Sequence, residues 1–336
     1  MQLSASGAVT ASTFSDSAAK IGNVVEVVAV FFLILLAVFF VAGRARGKFE
    51  RPVAVVVFLV PAVLLLLIGL IIPAIRTIYY SFYGASSKTY VGTDNYKWAF
   101  TNANIRTVLY NTLLWIVVAP IAATALGLAI AMAVDRMKHQ SIVKSLIFMP
   151  MVISFVGASI IWKFVYSYRE SSQPQIGLLS QVVIALGWKH PPNWILSHPL
   201  NNFLLIVIMI WIQTGFAMVV LSAAIRGVPD EIIEAARVDG AHGLKLFRSV
   251  QIPLIRGTIV VVLTTIIIAT LKVFDIVRTM TGGNFSTSVL ANEMYNQSFV
   301  QFNVGHGSAL AVILFLGVMP LVAYNVIQLR KERATQ

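Results

Sequence analysis

Residues 231–253 read EIIEAARVDGAHGLKLFRSVQIP, a dense run of charge in a chain that is only 11% charged overall. Pro229, Asp230 and Glu231 form a helix-start signal, with proline in the first turn and acids at the positive end of the dipole. Ile232, Ala235 and Ala236 then share one face, and Asp239-Gly240 reads as a turn or helix stop. Leu244, Phe247 and Val250 return at near-helical spacing until Pro253 ends the run. The pattern predicts two short helices lying across a surface. Small Ala235 and Ala236 permit close approach by another body, and Glu234, Arg237 and Arg248 offer it charge-assisted bonds. The chemistry is docking; the competing reading is an amphipathic hairpin that only joins two spans.

A second group of polar residues interrupts apolar runs: Trp211, Gln213, Thr214, Gly215 and Phe216 in one, and Thr270, Lys272 and Asp275 near the end of another. Polar groups in such places are expensive unless they face an interior, so they mark a path or act as glue between helices. Lys272 and Asp275 have the i,i+3 spacing of a simple ion pair. Catalytic sets are missing. Gly47-Lys48 has Ala42 where a phosphate loop needs its first glycine, and Phe49 follows, so the chain has no such loop for ATP. The five histidines are scattered without zinc spacing, and cysteine is absent, which removes disulfides and thiolate metal sites. Neither an enzyme nor a resident cofactor or metal is expected.

The elements that must position these residues are membrane helices. The chain has 336 residues, 58% of them hydrophobic, with mean hydropathy +0.84, and its apolar runs are long enough to cross about 30 Å of hydrocarbon. The expected fold is all-α and polytopic, with about seven spans: Val24 to Val41, Val53 to Ile72, Thr107 to Val134, Ile142 to Val165, Phe203 to Ala224, Gly257 to Val277 and Ser308 to Gln328. A barrel would show short alternating segments instead. Pro61, Pro120, Pro150 and Pro320 are expected to kink their spans. Basic residues concentrate in short connections: Arg44, Arg46, Lys48 and Arg51; Arg136, Lys138 and the boundary residue Lys144; Arg226, Arg237, Lys245, Arg248 and Arg256; and Arg330, Lys331 and Arg333. Positive-inside bias makes those connections cytoplasmic, with the N-terminus outside and the C-terminus inside. The same bias accounts for a net charge of +12 without invoking nucleic acid. No basic region precedes the first span, which is read as a retained helix after a Ser/Ala/Thr-rich tail. Tyr79, Tyr80, Tyr83, Trp98, Tyr166, Tyr168, Trp188 and Trp194 are read mainly as an outer interfacial belt.

Glu234-Ala235-Ala236, Gly240 beyond them, and Val250-x-Ile252-Pro253 resemble the EAA loop of permease subunits in bacterial ATP-binding-cassette importers. Val250 and Ile252 stand where Ile and Leu are commoner. Gly92-x-Asp94-Asn95-Tyr96, Asn111-Thr112, Gly227-Val228-Pro229-Asp230-Glu231, Asp239-Gly240-Ala241 and Phe274-Asp275 with Thr281-Gly282-Gly283 look like the maltose-type carbohydrate-uptake branch. Asn284 departs from it where proline is usual. The resemblance covers Arg51 to the C-terminus. It implies an external tail and accessory helix over 1–50, then a permease domain over 51–336 whose coupling loop, 227–256, docks on a cytoplasmic ATPase dimer. The residues it assigns to coupling are Glu234, Ala235, Ala236, Arg237, Asp239, Gly240, Phe247 and Pro253. ATP and Mg would sit on the partner ATPase. A second homologous permease, as a heterodimer, and an external sugar-binding protein complete the implied assembly in the bacterial inner membrane.

Sugar recognition needs hydroxyl partners and a flat apolar face, and the positions that resemble the branch's sugar contacts are Trp211, Gln213, Thr214, Gly215, Thr270, Lys272 and Asp275. The substrate implied is an oligosaccharide or α-glucoside, moved by alternating access. The alternatives are a permease for glycerol phosphate or another small polar solute, and an ion-coupled secondary transporter. A phosphorylated substrate would want arginines clustered in the spans, and an ion-coupled carrier would want repeats and buried acids; neither pattern is present.

Overall fold

The computed structural model describes residues 55–334 apart from 136 and 171, together with scattered positions between 22 and 52. The chain forms two compact units, Met1–Arg76 and Thr77–Gln336. The expected tail, Met1 to Ala19, lies outside the described residues. Of the expected first span, the positions described between Val25 and Phe40 are helical. Helix α1 (Val55–Tyr80) is apolar on all sides and buried nowhere within the chain, as suits a helix whose solvent is hydrocarbon.

The second unit carries α2 (Asp94–Thr101), α3 (Ala103–Val134), α4 (Gln140–Val152), α5 (Phe155–Val165), α6 (Leu178–Ala185), α7 (Leu200–Arg226), α8 (Asp230–Val238), α9 (Gly243–Leu271), α10 (Asp275–Met280), α11 (Leu290–Tyr295) and α12 (Val304–Ala334). No strand occurs among the described residues. Among the described residues five helices are long and apolar enough to cross a membrane, or six if the bent pair α4–α5 is one span. The fold is therefore all-α, as expected, with the expected fourth span broken by 102°. Its cause is local. Ser154 is extended (φ −61°, ψ 150°) and its Oγ accepts the backbone N–H of Gly157 at 3.1 Å, starting a new helix.

The sixth span also differs from expectation. The second surface helix does not end at Pro253 but runs on into the membrane as α9. A π-helical turn, Phe247–Gln251, stands just ahead of Pro253. The π turns Val55–Leu59 and Leu67–Ile71 precede Pro61 and Pro73 in the same way. Proline has no N–H and its ring presses on the carbonyl four residues back, so a locally wider turn lets the helix pass. At its far end α9 stops at Leu271, six residues short of the expected Val277, and α10 begins at Asp275. Lys272 thus caps a negative helix end and Asp275 opens a positive one, which favours both charges separately.

The core runs through α3, α5, α7 and α10, around Trp115, Leu205, Ile208, Met209 and Ile276. Two expected belt aromatics belong to it. Tyr166 and Trp194 are 2% and 5% exposed, and both polar tips are satisfied, Tyr166 donating to the Leu204 carbonyl at 3.0 Å and Trp194 to Ser180 Oγ at 2.8 Å. Buried aromatics with a satisfied polar tip stabilise a core as well as an interface.

Candidate functional site

Helix α8 presents the charged motif without burying any of its residues. Pro229 is its N-cap, one place earlier than the sequence suggests, with Asp230 and Glu231 in the first turn and Arg237 in the last. Its end is a Schellman turn: Gly240 donates to the Arg237 carbonyl at 3.0 Å and Ala241 to that of Ala236 at 2.9 Å. The turn places Gly240 at φ +81°, where a side chain would be strained. Asp239 is the C-cap. Glu234, Ala235 and Arg237 are exposed and Ala236 is half-buried. Among the described residues Glu234, Arg237 and Arg248 form no ion pair. Val238 and Leu244 are 88% and 75% exposed. Phe247 points the other way: buried, it lines a cleft of about 330 Å³ with Ala129, Met132 and Ala133 of α3, so it anchors the loop rather than facing a partner. Pro253 is exposed, just after the π turn Phe247–Gln251 of α9.

The polar residues inside the spans separate into three environments. Trp211 and Thr214 line a groove of about 460 Å³ with Leu126, Pro150, Trp162 and Ile210, between α3, α4, α5 and α7. Trp162 and Trp211 meet edge to face at 5.7 Å. The Thr214 hydroxyl donates to the Ile210 carbonyl of its own helix at 2.7 Å. Gln213 is 9% exposed and its side chain makes no hydrogen bond among the described residues. Gly215 is a packing position, because a Cβ there would lie 2.7 Å from the Ile147 carbonyl oxygen. Thr270 is fully buried and spends its hydroxyl on the Ile266 carbonyl at 2.8 Å. Lys272 is exposed, Asp275 half-buried, and the two make no ion pair among the described residues.

Residues 123–334 match the model of the family described as binding-protein-dependent transport system inner membrane component. The chain belongs to this family. It is a multi-pass membrane component of a binding-protein-dependent transport system, and not an enzyme. The osmoprotective compounds uptake permease protein GgtC of Synechocystis sp. is 48% identical over 269 residues, 80% of this chain and 96% of its own. The alpha-glucoside transport system permease protein AglF of Rhizobium meliloti is 47% identical over 276 residues, 82% of each chain. A chain of a bacterial ABC transporter involved in the import of the acidic polysaccharide alginate shares the fold with TM-score 0.72 at 19% identity, covering 84% of this chain and 96% of that one.

The permease contains functional groups that sequence reasoning did not single out. Trp162 reaches the Trp211 groove only because the chain bends at Ser154, so no local pattern announces it. At the C-terminal end of α3, Asp135 accepts from Lys144 of α4, and Ser222 of α7 donates to Asp135 Oδ1 at 2.9 Å. Lys144 also donates to Ser222 Oγ at 2.7 Å. Asp135 and Lys144 side chains are 14% and 15% exposed. Arg226, the last residue of α7, stands with Nε 4.0 Å from Asp135 Oδ1. Lys144 and Arg226 read in sequence only as orientation signals.

Proposed function

We propose that this permease conducts an oligosaccharide or α-glucoside into the cytoplasm, driven by a separate ATPase. The observation that carries the reading is α8: a surface helix whose Glu234 and Arg237 form no ion pair among the described residues, with exposed apolar residues beside them, linked by the tight Gly240 turn to α9, which runs through Pro253 into the membrane without a break. Such a helix transmits force only if a partner binds it differently in two states. The partner is an ATPase dimer that holds ATP and Mg; this chain carries no cofactor. Similarity to an alpha-glucoside permease supports the substrate class, and the groove's lack of charged lining disfavours a phosphorylated solute.

The orientation follows the positive-inside bias, with the N-terminus outside and the C-terminus and coupling loop 227–256 in the cytoplasm. The permease domain spans 51–336 after an external tail and accessory helix. A second homologous permease completes the path as a heterodimer, and an external sugar-binding protein delivers the substrate. Glu234, Ala235, Ala236, Arg237 and Asp239 meet the ATPase, Gly240 and Phe247 shape and anchor the loop, and Pro253 stands at its junction with the span. Trp211 offers the apolar face of the sugar site, Gln213 and Thr214 its hydroxyl partners, while Gly215 and Thr270 hold the helices that carry them. Lys272 and Asp275 flank the outer end of α9.

Charge reversal tests the coupling helix. Glu234→Lys is expected to lose the copurifying ATPase and lower uptake about 100-fold, given roughly 2–5 kcal/mol for a disrupted interfacial charge pair. An intact complex importing at the parental rate would overturn the docking role. The groove is tested by Trp211→Ala, for which the KM of sugar uptake should rise about ten-fold, equivalent to roughly 1.4 kcal/mol of lost contact. Unchanged KM with a lowered melting temperature would make Trp211 a packing residue only.

A further inference from the structure

We propose that the permease holds a second sugar subsite, at the outer end of α3, which takes one ring of the substrate before it reaches the Trp211 groove. The inference rests on the sugar reading above and on its orientation. The subsite is a cavity of about 200 Å³ between α3, α11 and loop 281–289, with Asn104, Thr107, Asn111, Ser286, Ser288 and Glu293 in its lining. That volume corresponds to about six or seven waters at roughly 30 Å³ each, the scale of a single sugar ring. Its lining is amide, hydroxyl and carboxylate, whereas the groove at Trp211 is mostly apolar.

The loop that walls the cavity is held in a costly shape. Gly282 and Gly283 have φ of +67° and +87°, and so do the non-glycine residues Phe285 and Ser286 at +56° and +60°. Each such non-glycine residue costs about 1–3 kcal/mol and persists only where its surroundings enforce it. Here a chain of side chains does so. Trp115 donates to Asn202 Oδ1 at 2.7 Å, Asn202 donates to Asn111 Oδ1 at 2.8 Å, and Asn111 donates to the Ser286 and Ser288 carbonyls at 2.7 and 3.0 Å. Asn201 holds the Phe285 carbonyl at 3.0 Å. A loop strapped this firmly to two spanning helices is rigid, and rigidity preorganises whatever the loop presents.

Three lining groups remain free to meet a ligand among the described residues. The Asn104 side chain and the Ser286 hydroxyl make no hydrogen bond, and Glu293 has given only Oε1, to Gln297 at 2.9 Å. A carboxylate beside an amide and a hydroxyl suits neighbouring sugar hydroxyls, whose O–H groups it accepts in short charge-assisted bonds. Phe285, half exposed on the same loop, adds an aromatic surface beside Ser286. Behind Gly283 the wall of the cavity is closed: a Cβ there would stand 2.2 Å from Nδ2 of the fully buried Asn292. A metal ion is disfavoured, because no cluster of three or more His, Asp or Glu exists among the described residues and calcium wants about 6–8 oxygens. Glu293 repels an anionic guest.

The absence of cysteine makes a direct test possible. Thr107 lines the cavity but donates its hydroxyl to the Ala103 carbonyl at 3.2 Å, so Thr107→Cys adds the only thiol of this chain without removing a ligand group. In the reconstituted importer, alkylation of that thiol by N-ethylmaleimide is read on this chain by mass spectrometry. Maltose or trehalose at about ten times its dissociation constant should slow it about ten-fold, as occupancy follows mass action. Glu293→Gln should abolish the protection, and a thiol placed by Lys97→Cys on exposed α2 should show none. Unprotected Thr107→Cys in an importer that still takes up the sugar would overturn the subsite and leave the proposed function standing. Protection by glycine betaine instead of either sugar would overturn the ligand class assigned to the cavity. An importer that takes up neither sugar nor any other glucoside would remove the proposed function, and this inference with it.

Discussion

Asp135→Ala is expected to leave little folded permease after mild detergent extraction, while the double change Asp135→Leu with Lys144→Met restores most of it. Asp135, Lys144 and Ser222 join α3, α4 and α7 at the end where α3 stops, and the Asp135 and Lys144 side chains are only 14% and 15% exposed. Removing one member of a buried pair strands the other charge, at about 3–5 kcal/mol, whereas replacing both by apolar residues is often neutral. Lys144 would keep only Ser222 and Gln140, the latter at 3.3 Å, and Arg226 would lose the anion 4.0 Å away. Monodisperse protein and melting temperature, measured by fluorescence-detected size exclusion for the parent, both single variants and the double, give the answer. If Asp135→Ala is as stable as the parent, the pair is dispensable for the bundle. If the double variant is as poor as the single, the loss comes from the changed shape rather than from the stranded charge.

Arg226 ties the same cluster to the segment that leads into α8. It ends α7 and only Gly227, Val228 and Pro229 separate it from α8. Under the proposed docking of an ATPase on α8, a push on that helix acts close to an ion cluster shared by α3, α4 and α7. The double variant should fold, and its uptake relative to its folded amount reports whether the cluster has a part in coupling as well as in stability.

What could be read from sequence was whatever depends on neighbours along the chain. The caps and stop of α8 are local signals, Asp230 and Glu231 at one end and Gly240 at the other, and the structure reproduces them to within a residue. Apolar runs give the spans because lipid imposes a minimum length. The break at Ser154 is a different matter: Ser is common at helix starts, but nothing nearby in sequence distinguishes a capped bend from a continuous helix of 24 residues. Pro253 misleads in the opposite direction, since proline stops most helices and a π turn lets this one continue. The site suffers most. Trp162 meets Trp211 across 49 positions of sequence, and Asn111 reaches Ser286 across 175. The paired glycines at 282 and 283 signal a turn, yet that the turn walls a polar cavity depends on α3 and α11 arriving beside it.

Gly127→Val should separate α3 from α7 and give the largest loss of assembled protein among conservative apolar changes. Gly127 is where α3 and α7 touch backbone to backbone: a Cβ there would lie 2.5 Å from Ala217 Cβ and 2.7 Å from the Met218 amide nitrogen. Overpacking by a methyl group or two costs about 1–3 kcal/mol when side chains can move aside. Here one obstacle is main chain, so relief requires the helices to part, and the cavities opened at Ala123, Leu221 and Val262 in the same cluster add to the cost. Ala217→Gly removes the nearer obstacle and leaves the amide, so in combination with Gly127→Ala it should restore part of the folded yield but not all of it. Uptake follows the same order, because Trp211 and Thr214 ride on α7 while Leu126 faces them from α3. Full stability of Gly127→Val would mean that α3 and α7 have an alternative close packing, and the groove between them would then have to be wider in at least one working state of the transporter.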